Sequence, residues 1–144
     1  EGGHDPDAGK VANLFMIYPG KTMEEARATF GPRVVWYHRT IAKYVAPPHG
    51  QIDVKGYDGY GEARDRAASI EFEDLVEGGT VICGDVEHCI EKATAMAELF
   101  KFDEFLCWTR MGGLENDKVL GAMELLGSEV IPAVRKATLP KAAQ

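Results

Sequence analysis

The strongest constraint on the fold is the short run VANLFMIYPG, residues 11–20, in which Val11, Leu14, Phe15, Met16 and Ile17 leave almost no polar alternation before Pro19 and Gly20 close it. An alternating strand hides one face, whereas a strand apolar on both faces needs cover on both sides. That requirement points to a parallel sheet between helical layers. Two further apolar segments, TVICG at 80–84 and Phe102 to Arg110, are each followed by a helical pattern. The alternation of strand and helix predicts right-handed βαβ units.

The helices are marked by their caps. Thr22 followed by Glu25 has the spacing at which a hydroxyl and a carboxylate satisfy the free amides of a first turn. This predicts a helix from about Met23 to Phe30, interrupted at Gly31 and Pro32 and resumed in PRVVWYHRTIAKYVA. Val34, Tyr37 or His38, Ile41 and Val45 recur at steps of three or four and define its buried face. From Pro47 to about Gly61 the periodicity lapses into a long excursion, with short helices expected at Glu62–Ser69 and Glu71–Glu77. Asp85 is the expected N-cap of a helix ending at Phe100, and a last helix runs from Asn116 to about Lys136, its end loosened by Pro132.

Composition narrows the function. The 144 residues are 45% hydrophobic and 27% charged, as in one globular domain, and their apolar runs are too short to span a bilayer. A net charge of −7 with scattered basic residues opposes binding to nucleic acid. Three cysteines in apolar contexts, Cys83, Cys89 and Cys107, suit reduced thiols in the cytoplasm. Residues 1–10 read as a cut, processed or disordered loop and 137–144 as a flexible tail. His4 beside Asp5 and Asp7 lacks the preorganised set that a metal site needs, so no metal is expected. No nucleophile elbow, phosphate-binding loop, HExxH or zinc-spaced cysteine pair occurs.

In sequence order, VICGDVEHCIEKATAM and FDEFLCWTRMGGLENDKVLGAMELLGSEVIPAVRK carry a strand-Gly-helix unit, a Gly112-Gly113-Leu114 turn and a Val130-Ile131-Pro132 element. This series resembles the C-terminal end of the luciferase-like flavin-dependent monooxygenases, and RVVWYHRTIAKYVAPP is similar to the segment before the excursion in one branch of that family. The resemblance spans residues 11–136. It implies a partial TIM barrel, the sixth to eighth βα units with parallel strands, separated by a long excursion between the first two. Such barrels need about 250 residues and eight strands. The resemblance therefore also implies an incomplete site for FMN or a related flavin or deazaflavin, and a hydrophobic or aldehyde-like substrate in the whole family protein.

The carboxyl ends of barrel strands carry the chemistry, which makes Tyr18, Cys83, Gly84, Trp108, Arg110, Gly112 and Gly113 the candidate cofactor or substrate contacts. Trp108 and Arg110 lie two apart and share a strand face. The indole would meet a flavin ring or apolar substrate, or else pack in the core; the guanidinium would hold an anionic group, or else be a surface or ion-paired cation. Gly112 and Gly113 would admit a ligand to backbone amides or form a tight turn with one positive φ. Asp85, His88 and His38 read as structural, and Tyr57 and Tyr60 as lid or loop anchors. Three functional expectations compete: the C-terminal part of a flavin-dependent oxidoreductase, inactive alone; a non-catalytic α/β module that self-associates through bare sheet edges; and a small ligand-binding α/β domain.

Overall fold

In the computed structural model, which describes residues 3, 9–44, 55–57 and 59–138, a three-stranded parallel sheet is covered by helices on both faces. Strand β1 is Ala12–Gly20, followed by α1 (Met23–Tyr44), α2 (Gly59–Ala68) and α3 (Phe72–Glu77). Next come β2 (Val81–Asp85), α4 (Val86–Phe100) and β3 (Glu104–Trp108). The chain then runs through α5 (Asn116–Leu125), a π-helical turn (Leu126–Val130) and α6 (Ile131–Thr138). The first residues apart from 3, 9 and 10, most of the excursion (45–54 and 58) and the tail (139–144) lie outside the described residues, and so do His4, Asp5 and Asp7.

The expected parallel α/β layering is present, but its order is β2-β1-β3. Consecutive barrel strands would be neighbours in chain order with every helix on the outer side. Here β1 is central. The crossover to β2 leaves it in one direction, and the crossover to β3 passes back over it in the other. Two right-handed crossovers running in opposite senses place their helices on opposite faces. Accordingly, Met16, Tyr18, Val81 and Cys83 pack under Ala26, Phe30 and Val34 of α1, while Phe15, Ile17 and Ile82 pack under Cys89 and Ala93 of α4.

The two outer strands grip different halves of β1. Met16 to Gly20 pair with Val81 to Asp85, and Ala12 to Met16 pair with Glu104 to Trp108. Burial follows the register: Phe15 to Gly20 are buried, whereas Leu14, beside β3, is exposed. α5 bridges the layers, giving Val119 and Ala122 to one core, and the π turn gives Leu126 and Val130 to the other.

Two local expectations change. α1 runs unbroken through Pro32, although proline removes an amide donor from a helix interior. Phe30 and Val34, both fully buried, flank it, and Gly31 lies against the Phe72 ring, so packing on both sides of the proline holds the helix together. At the other end, Pro132 is preceded by the π turn, and the Ser128 hydroxyl donates to the Glu124 carbonyl at 2.8 Å. A widened turn accommodates the carbonyl that Pro132 cannot satisfy and keeps the apolar stripe inward.

Candidate functional site

The seven candidate residues fall into two groups. Tyr18 and Cys83 are registered partners on β1 and β2, with Gly84 opposite Pro19. Trp108 is opposite Met16, two positions short of Tyr18, so the end of β3 is recessed. The segment after it fills the gap: Thr109, Met111 and Leu114 are buried, and the Leu114 amide donates to the Met111 carbonyl at 3.1 Å.

In the first group, Tyr18 stacks on Phe30 at 5.0 Å and donates from its hydroxyl to the Lys118 carbonyl at 3.3 Å. Burial, and then the Glu25 carboxylate, raise its pKa above the usual phenol value. Cys83 is completely buried, and desolvation pushes its thiol up to about 12. A thiol so protonated is a packing group rather than a nucleophile. Cys89, held to about 12 by the same cause, approaches the Gly84 carbonyl at 3.8 Å. Gly84 is required by crowding: a Cβ there would stand 2.8 Å from His88 Cδ2 and 2.9 Å from the Met23 methyl. Asp85 caps α4 as expected, Oδ1 accepting from the His88 amide at 2.9 Å. His88 Nε2 is buried with no hydrogen-bond partner among the described residues.

In the second group, the Trp108 ring meets Tyr37 edge-on at 4.9 Å, and its indole N–H donates to the Arg110 carbonyl at 2.8 Å. The indole therefore joins the core rather than presenting a free face. Arg110 is exposed and donates from Nη1 to Asn116 Oδ1 at 3.4 Å. Gly113 has φ +75°, the left-handed turn position, and a Cβ on Gly112 would lie 2.7 Å from the Trp36 ring. α1 supplies what reading the strands alone misses: Arg33, Trp36 and Tyr37, at helical spacing, reach the turn after β3. His38 is structural, its Nδ1 3.0 Å from the Val34 carbonyl, and Tyr57 and Tyr60 pack on each other at 5.1 Å.

An isoalloxazine needs an open slot beside these groups, but the room above Gly84 and Gly112 is taken by Met23, His88 and Trp36. Beside Gly84, which is itself buried, the residues present leave no slot for a flavin ring, whereas Gly112 and Gly113 are exposed. Two grooves lie elsewhere. One, about 820 Å³, runs between α1 and α3, where Arg27 and Arg39 are engaged by Glu73 and Glu71. The other, about 920 Å³, lies beside β3 between α4 and α6. Among the described residues no cluster of three or more His, Cys, Asp or Glu could hold a metal, and no helix is long and apolar enough to cross a membrane. Compared with known proteins, the chain matches no protein-family model and no curated protein.

Proposed function

We propose that the chain is the C-terminal portion of a luciferase-like flavin-dependent oxidoreductase and does not by itself hold the flavin. The family assignment rests on the ordered run from Ile82-Cys83-Gly84-Asp85 through Gly112-Gly113-Leu114 to Val130-Ile131-Pro132. One observation supports the second half: beside Gly84 and Gly112, two of the glycines that would admit a cofactor, the space on the side-chain side is taken by this chain's own Met23, His88 and Trp36. In flavin enzymes the bound cofactor supplies the redox chemistry and the protein supplies position and electrostatics. These residues would contribute a wall and a helix cap to a site completed by other strands. Titration of FMN against the chain, followed by flavin fluorescence, tests this: no quenching or shift is expected at micromolar concentrations. Saturable quenching, or flavin-dependent oxidation of NAD(P)H or an aldehyde by the chain alone, would overturn it.

A second reading, a non-catalytic α/β module that self-associates, is favoured by the sheet itself. The β2-β1-β3 order is that of a doubly wound sheet rather than a barrel arc, and β3 leaves apolar residues exposed at the edge. The two readings differ in what they make of the sheet: the first takes it as part of a barrel, the second as the three-stranded layer that it forms.

A further inference from the structure

We draw no further inference here: the strongest candidate, the groove of about 820 Å³ between α1 and α3 lined by Trp36, Arg39, Lys43 and Tyr44, carries nothing, because Arg27 and Arg39 are already engaged by Glu73 and Glu71 and nothing in the structure shows what covers its open side.

Discussion

β2 and β3 are both edge strands of one sheet and both five residues long, yet Val81 to Gly84 are buried while Glu104, Leu106 and Cys107 are exposed. Their compositions do not explain this, since VICGD and EFLCW are comparably apolar. Placement does: β2 lies under α1 and α3 on one face and α4 on the other, because both crossovers begin or end at it. β3 is reached last, pairs with the exposed half of β1, and has its chain led away through the turn at 109–115. Burial of an edge strand thus follows from the helices that the chain lays over it, not from its own composition.

The largest effect should separate the two edges directly. Ile82→Ala removes a side chain that is 2% exposed, and should cost about 2–5 kcal/mol in urea denaturation, the range for cavities in a packed core. Leu106→Ala at 45% exposure should cost the folded chain under about 1 kcal/mol. Equal losses at the two sites, measured under monomeric conditions, would erase the distinction.

The thiols sharpen the contrast. Burial holds Cys83 and Cys89 at about 12 against an ordinary 9.0, so the folded chain keeps protons that the unfolded chain releases above that ordinary value. Their contribution to stability is therefore fully present below pH 9 and is lost as pH rises towards 12. Denaturation midpoints should fall across that interval, and a Cys83→Ala/Cys89→Ala variant should show a shallower fall. At pH 8 a thiol reagent should modify one cysteine, Cys107, well before the other two; fast reaction of all three in the folded chain would contradict the burial assigned to β2.

What the sequence made legible follows the same division. The run Phe15 to Ile17 demands cover on two faces, and Asp85 ahead of Val86 announces a capped helix, because both signals are local. Pro32 misleads for that same reason: it punctuates its own turn, but the burial of Phe30 and Val34 that carries α1 through it comes from other elements. Strand order escapes periodicity altogether, since an apolar run shows that a strand is buried and not which strand lies beside it. Gly112 and Gly113 are equally ambiguous in sequence, because a glycine that makes room for a ligand, one that takes the positive φ of a turn and one that makes room for Trp36 look identical until the helix is in place.

The smallest effect lies where each edge strand hands over to its helix. At the end of β2, Asp85 terminates the strand and caps α4 through the His88 amide, whereas before α5 Glu115 makes no side-chain cap bond. Asp85→Ala leaves a first-turn amide without its acceptor and removes a negative charge from the positive end of α4, for about 0.5–2 kcal/mol. Glu115→Ala removes only the exposed charge, and should fall within about 0.5 kcal/mol of the parent. Because α4 covers β2 from the second face, hydrogen exchange should report the Asp85→Ala loss in β2 and the first turn of α4 together, with the amides of β3 unchanged. A loss confined to α4 would mean that the cap serves the helix alone, and that β2 owes its burial to α1.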